Sequence, residues 1–246
     1  MLTTGRPGRT TSPRRMASTP RLPQVFTDLN DGFSVDFCPK SVILYWFAAD
    51  KTPTVEGFEG AKMPAVIADV WDNPGGGAPG DGTVILQLLI ELQVKNVGYA
   101  SVWDPQAIGL CKAAGPGGDL QLRFGGKTHK LGGQPIDAMV HVVSIVDNAT
   151  FSSNNGDRRS TLGECALVRI GGADGVYVVL STLRNQVVNP DVWLAFGLDP
   201  YDFDILAVKS TNHFFGGFGH IASELCYVNT GLQVCCTYDA FPLIFY

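Results

Sequence analysis

The stretch that decides the fold runs from residue 65 to residue 92 and reads AVIADVWDNPGGGAPGDGTVILQLLIEL. Its first residues, Ala65–Val70, are mostly apolar and predict a buried strand, whereas the run Thr83–Leu92 predicts a helix. Between them lies a glycine loop, Asp72–Asp81, whose three consecutive glycines have no Cβ and readily adopt positive φ. Its N–H groups and the following helix N-terminus can face an anion or a carbonyl together, so a binding site is predicted here.

Outward from this stretch, helical and extended patterns first alternate and then give way to strands. The strand Val97–Trp103 and the helix Pro105–Ala114 extend a βαβ-like start. Glycine-rich turns then separate the predicted strands 120–124, 136–146, 165–170 and 176–183, which indicates an antiparallel section. A short helix (191–196), a strand (205–210), a helix-like turn (215–224) and a last strand (226–229) follow. The predicted fold class is α/β with a mixed sheet, in which two early strands and a late one are parallel neighbours.

The domain organisation follows from composition. With 246 residues and 45% hydrophobic content, the chain can form one large globular domain or two small ones. Residues 1–63 are predicted to be disordered or irregular and not a complete domain: Met1–Arg21 holds five arginines and no acidic residue, and Ser41–Phe47 is the one strand candidate. The organised domain is predicted over residues 64–246.

Charge and hydropathy limit the classes of partner that this chain can bind. The net charge of −5 and the lack of a basic block in the folded part argue against nucleic acid. The longest apolar run, Ser41–Ala49, is far shorter than the ~20 residues of a transmembrane helix, so no membrane partner is expected. Six cysteines without a signal-peptide core favour an intracellular, cytoplasmic location. The arginine-rich N-terminus makes mitochondrial targeting the alternative.

Two nucleotide-binding patterns are disfavoured. Gly75, Gly77 and Gly80 match G-x-G-x-x-G, but Asp81 places a negative charge where a pyrophosphate would lie. The triplet Gly126-Lys127-Thr128 imitates the end of a P-loop, yet residue 121 is Gln where that motif requires Gly. A hairpin turn explains the triplet better.

A metal centre is not predicted either. Cys226, Cys235 and Cys236 lie near His213 and His220 in the sequence, but no CxxC or HxxxH spacing links them. Small buried thiols are the simpler interpretation.

Five ordered blocks from Pro64 onward, about three quarters of the chain, resemble the C-terminal domain of the microcystinase C (MlrC) family of metallopeptidase-like proteins. The blocks are AD at 68–69 with the glycine loop, VWDP at 102–105, LRFGGK at 122–127, RNQ at 184–186, and VKS at 208–210 followed by HF at 213–214. In that family an N-terminal domain carries zinc, and the C-terminal domain closes the substrate cleft. The resemblance therefore implies a hydrolase of amide bonds in small, often linearised, peptides, as in microcystin degradation.

The chain also departs from the family. Only 63 residues precede Pro64 and they contain no histidine, so a zinc site cannot be assembled there. Phe215 stands where the family usually places an arginine. We expect a truncated, divergent or mispredicted chain that holds no cofactor, since zinc would lie only in the missing domain. Such a chain would be inactive alone. Its expected partner is a separate zinc domain or a second copy of itself. The alternative is a non-catalytic small-ligand or protein-interaction module.

The predicted substrate-binding residues are Asn73, Gly75, Gly76, Gly77, Asp81, Arg184, Gln186, Lys209 and His213. The glycine loop would stabilise a substrate carbonyl or carboxylate, and Arg184 would bind a carboxylate through a bidentate pair. Lys209 and His213 would reach into the same cleft. Each also has a structural interpretation, such as a tight corner or a satisfied histidine. No catalytic residue is assigned, because no nucleophile elbow or Ser-His-Asp order is present.

Overall fold

The computed structural model describes residues 63–153, 156, 158–228 and 230, and within them eight strands form one mixed sheet. The strands are β1 (Ala65–Asp69), β2 (Val97–Trp103), β3 (Asp119–Phe124), β4 (Ile136–Ser152), β5 (Arg159–Ile170), β6 (Val176–Ser181), β7 (Ile205–Lys209) and β8 (Glu224–Val228). Their order across the sheet is β3-β4-β5-β6-β2-β7-β1-β8. The predicted α/β class with a mixed sheet is confirmed. The predictions for residues 1–62 lie outside the described residues.

The sheet has a parallel and an antiparallel half that meet at β6. Strands β6, β2, β7, β1 and β8 are parallel neighbours, whereas β3, β4, β5 and β6 form an antiparallel meander. The late strand β7 lies between β1 and β2, which confirms the predicted parallel neighbours. All parallel strands direct their carboxyl ends to the same edge of the sheet, so the loops that follow them converge there.

Helical segments cover both faces of the sheet. On one face lie α1 (Val84–Glu91) and α2 (Pro105–Ala114), which bury their apolar stripes against alternate residues of the strands. On the other face lie the 3₁₀ segment Pro190–Phe196 and the short helix α3 (Phe215–Phe218), which contribute large aromatic side chains to a second core. The mainly apolar β1 and β7 are buried between the two cores because both of their faces are covered.

Several element bounds differ from the sequence-based ones. Strand β4 extends to Ser152 and β5 begins at Arg159, since polar residues alternate along the outer part of this long hairpin and weaken the apolar signal. The helix-like turn predicted over 215–224 is helical only to Phe218, and the last strand lies at Glu224–Val228. None of the helices in the described part of the chain is long and apolar enough to cross a membrane.

Candidate functional site

Four loops meet at the carboxyl edge of the parallel half of the sheet. They follow β1, β2, β6 and β7, and they contain the residues that the sequence predicted to bind substrate except Lys209, which is the last residue of β7. In open α/β sheets, ligands bind at this edge, where neighbouring connections run to opposite faces of the sheet. The site is therefore built from segments far apart in sequence but brought together by strand order.

The glycine loop after β1 is a compact turn whose N–H groups are bonded within the loop. Asn73 caps a short 3₁₀ turn over Pro74–Gly76, and its Oδ1 accepts from the Gly75 N–H at 2.9 Å. The Gly76 N–H donates to the Asn73 carbonyl at 3.0 Å, and the Gly77 N–H donates to the Pro74 carbonyl at 3.1 Å. These N–H groups do not turn together toward a ligand, so the predicted anion cradle is wrong. The loop instead presents three exposed glycines with bare backbone.

A buried ion pair holds this loop from beneath. The Asp72 carboxylate accepts from the N–H groups of Gly80 at 2.8 Å and Gly82 at 2.7 Å, and it pairs with the Lys209 ammonium. Lys209 also donates to the Gly82 carbonyl. The side chains of Asp72 and Lys209 are 1% and 3% exposed, respectively. Lys209 therefore supports the loop rather than facing the cleft, and its predicted contact with substrate stays a prediction.

Electrostatics around this pair are set by burial. Burial raises the pKa of Asp69, the Lys209 ammonium opposes the rise, and the Asp72 carboxylate adds to it. Burial lowers the pKa of Lys209, but the nearby Asp72, Tyr99 and Asp69 together raise it above its ordinary value. The ammonium lies 5.6 Å from the centre of the Tyr99 ring, and burial raises the pKa of that phenol to about 12. The cation is thus held charged inside the domain.

Two further aspartates hold the turn between β3 and β4 against this edge. The Asp81 carboxylate accepts from the N–H groups of Lys127 at 2.8 Å and Thr128 at 2.9 Å. The Asp104 carboxylate accepts from the Gly125 N–H at 2.9 Å and from the Lys127 ammonium at 2.7 Å. Both aspartates are buried. Their bonds are those of structural anchors, and substrate binding by Asp81 stays a prediction.

Arg184 and Gln186, from the loop after β6, flank the glycine loop in different ways. Arg184 is exposed, and its Cγ lies 3.6 Å from the position that a Cβ on Gly80 would occupy. Gln186 is buried, and its amide nitrogen donates to the Ser210 hydroxyl. A Cβ on Gly75 would collide with the Gln186 Oε1, so a side chain at this position would displace the Gln186 amide. Arg184 is therefore the member of this pair that is exposed to solvent, and it is the charged one.

The loop after β7 meets the glycine loop through Thr211. The Asn73 side chain donates to the Thr211 hydroxyl at 3.0 Å, and that hydroxyl donates to the Val70 carbonyl at 2.9 Å. His213, two residues farther on, is exposed on the same loop. The structure thus brings Asn73, the three glycines, Arg184 and Gln186 together, with His213 on the adjoining loop.

Sequence reasoning missed several residues that shape this edge. Thr211 joins two loops, and Thr128 donates its hydroxyl to Asp81, although the sequence pattern around it suggested only a hairpin turn. Tyr99 lies beside the buried ammonium. The sequence signal that could have identified Thr211 is the polar run Lys209-Ser210-Thr211, with which the buried strand β7 ends and the next loop begins.

The described residues do not fit a metal ion. No three His, Cys, Asp or Glu side chains among them come close enough to form a metal site. Asp72, Asp81 and Asp104 instead accept hydrogen bonds from the loops that they hold. Cys235 and Cys236 lie outside the described residues.

Comparisons with known proteins match this architecture. Microcystinase C from Sphingomonas sp is 32% identical over 170 residues, which cover 69% of this chain and 32% of that protein. The crystal structure named "Putative metallopeptidase" from Mesorhizobium sp. BNC1 has the same fold, with a TM-score of 0.60 at 21% identity over 69% of this chain and 34% of that one. The chain thus spans about a third of the length of each. The MlrC C-terminus family model matches residues 67–243, and the chain belongs to this family.

Proposed function

We propose that this domain forms the substrate-binding wall of a metal-dependent hydrolase of amide bonds in small peptides. The proposal rests on the shared family and on the loop cluster at the carboxyl edge of the sheet. The metal and the groups that move protons would come from outside the described residues, because no metal site is formed within them. In this assignment the domain binds and orients the peptide, and zinc would polarise the scissile carbonyl.

The observation that carries the proposal is the exposed glycine surface beside the Arg184 guanidinium. Glycines 75 to 77 have no side chains to block a peptide backbone, so a linear peptide can lie directly on the loop. Arg184 offers paired N–H donors that match the geometry of a carboxylate. In this proposal Arg184 binds a carboxylate of the peptide, either at its C-terminus or on an acidic side chain.

The buried Asp72–Lys209 pair makes this surface rigid. The Asp72 oxygens accept the N–H groups of Gly80 and Gly82 and so hold the end of the loop, while Asn73 and Pro74 hold the three exposed glycines before a ligand arrives. A surface ordered in advance loses less conformational entropy on binding. The role of Lys209 in this proposal is therefore to position the loop, not to contact the peptide.

The test is a binding titration of the full chain with short linear peptides, followed by tryptophan fluorescence, since the half-buried Trp71 lies on the same loop. A peptide acid should bind more tightly than its amide-capped form. Arg184→Ala should weaken binding of the peptide acid by about 10- to 100-fold, which is the cost of losing a charge-assisted hydrogen bond. Its affinity for the amide-capped peptide should be unchanged. Lys95→Ala is the control, because Lys95 precedes β2 and lies at the opposite edge of the sheet. Equal affinity for acid and amide would refute carboxylate recognition.

A second function, a binding module without catalysis, is favoured by the bonding of the carboxylates. Asp72, Asp81 and Asp104 all accept loop hydrogen bonds and are poorly placed to act as a general base. Metal analysis and a peptidase assay with and without added zinc separate the two functions. Peptide binding without turnover under both conditions, and also after a zinc-binding domain of the family is added as a separate chain, supports the binding module. Turnover that requires zinc supports the hydrolase.

Gly76→Val tests the glycine surface itself. Gly76 is exposed and is not among the glycines with positive φ, so a branched side chain should leave folding intact. It would stand directly on the proposed peptide path and should abolish binding. Unchanged binding by a folded variant would make the loop structural.

A further inference from the structure

The outer edge of β3 is open within the described part of the chain. β3 is the end strand of the sheet, and among the described strands it pairs only with β4. Its ladder with β4 is continuous from Asp119 to Phe124 and has no register shift. Within Asp119–Phe124 the strand contains no proline and no bulge, two of the devices with which natural proteins block pairing at an edge. Such an edge is a template for a further strand.

The backbone groups that face this open edge can be identified from the ladder. The Val142 N–H donates to the Gly118 carbonyl at 2.8 Å and the Val142 carbonyl accepts from the Gly117 N–H at 2.8 Å, so a two-glycine bulge starts this ladder and Gly118 holds a bonded position in it. Because bonded and non-bonded pairs alternate along an antiparallel ladder, the even-numbered residues of β3 bond to β4. The N–H and C=O groups of Asp119, Gln121 and Arg123 therefore point to the open edge.

The side chains of the same three residues carry a self-complementary charge pattern. Asp119 and Arg123 have opposite charges and stand two positions on either side of Gln121. In an antiparallel pair centred on Gln121, each Asp119 lies opposite the Arg123 of the other strand. All six outward-facing backbone groups of each strand then have a partner in the other.

We propose that β3 pairs with β3 of a second copy of this chain, antiparallel and centred on Gln121, to join two sheets into one. The ion pairs within each copy extend the pattern. Arg123 already pairs with Asp137 at 3.3 Å, and Asp119 pairs with His141 at 2.8 Å. Across the seam the row reads Asp137, Arg123, then Asp119 and His141 of the second copy, so Arg123 has a carboxylate on either side.

A second copy fits this edge better than an unrelated strand, because the charge pattern is symmetric about a two-fold axis. An isologous interface requires that residue i meet residue j and that j meet i, which Asp119 and Arg123 satisfy. Opposite charges directly across strands stabilise a pair, whereas like charges destabilise it. The orientation and the register of the dimer are thus set by the same two residues.

The test is sedimentation velocity on the full chain at low salt, where we expect a dimer. Asp119→Arg alone and Arg123→Asp alone each place like charges across the seam, and each should raise the dimer dissociation constant by at least about tenfold. An equimolar mixture of these variants places opposite charges at both positions and should restore a dimer. A mixture that remains monomeric would overturn the proposal, as would a monomeric wild-type chain.

Gln121→Pro is the second test, since it removes the central outward N–H without removing a bond to β4. This variant should be monomeric and retain the circular dichroism spectrum of the wild type. Gln121→Thr keeps the N–H and should remain a dimer. A dimer that survives Gln121→Pro would place the interface elsewhere. Slow hydrogen exchange of the Gln121 N–H in a monomeric wild type would show that another segment of the same chain covers the edge, which would also refute the proposal.

Discussion

Lys209→Met tests the buried cation beneath the glycine loop most directly. Methionine approximates the length and volume of the lysine stem, so the variant removes the charge with little change in packing. It leaves Asp72 buried at 1% side-chain exposure and Asp69 beside it, without the ammonium that pairs with Asp72. Removal of one partner of a buried pair costs about 3–5 kcal/mol, because the remaining charge stays desolvated.

The loss of unfolding free energy in Lys209→Met should depend on pH, and its direction can be worked out. In the variant, the pKa of Asp69, which burial already raises, should rise further, because the Lys209 ammonium that opposes this rise is gone. A carboxyl with a raised native pKa gives most stability when protonated and loses it as pH rises. The deficit of Lys209→Met relative to the wild type should therefore be largest near neutral pH and smaller in acid.

The assay is urea unfolding followed by circular dichroism at pH 7 and pH 5, together with thermal melts. A loss of about 3–5 kcal/mol corresponds to a fall in melting temperature of roughly 6–20 °C for a domain of this size. Lys95→Met is the matched control, since the Lys95–Asp174 pair has side chains that are 59% and 63% exposed. It should change stability by less than about 1 kcal/mol. A Lys209→Met variant as stable as this control would refute the reasoning.

Three further predictions concern buried groups. As pH rises through the raised pKa of Asp69, the free energy of unfolding should fall with a slope of up to about 1.4 kcal/mol per pH unit, and Asp69→Asn should remove this slope in urea titrations across pH. Gly98→Ala places a Cβ 2.7 Å from the Trp193 ring and should cost about 1–3 kcal/mol in chemical denaturation; a neutral effect would show that the ring moves aside. Burial raises the pKa of Cys111 to about 11 and of Cys165 to about 12, so both should resist alkylation at pH 8 until the chain unfolds, as read by peptide mass spectrometry.

Much of the fold was predictable because its elements have strong local patterns. The strand, glycine loop and helix at 65–92 and the alternation up to Ala114 carry clear apolar periods and a proline at the start of α2. The outer part of the β4–β5 hairpin was not predicted, because the polar residues that alternate there weaken the apolar signal. The pairing of β6 with both β5 and β2 also could not be read locally, since it depends on which strands meet across the sheet.

The site was predictable as a location more than as a set of contacts. The glycine loop and the polar residues after β6 and β7 lie at one edge of the sheet, because parallel strands end together. The direction of each side chain was not predictable. Lys209 lies under the loop, since at the end of β7 its side chain points to the face covered by α1, whereas Arg184 stays exposed.

Taken by itself, the sequence determined the α/β class, the family resemblance and the position of the loop, because apolar periodicity, glycine and proline act over a few residues. Only the tertiary structure decided that the loop N–H groups bond internally, and that Asp72 meets Lys209 from a strand end 137 residues away. That β3 is the end strand among the described strands is likewise known only from the strand order. Such contacts depend on which segments become neighbours, and that is set by burial of the whole sheet between its two cores.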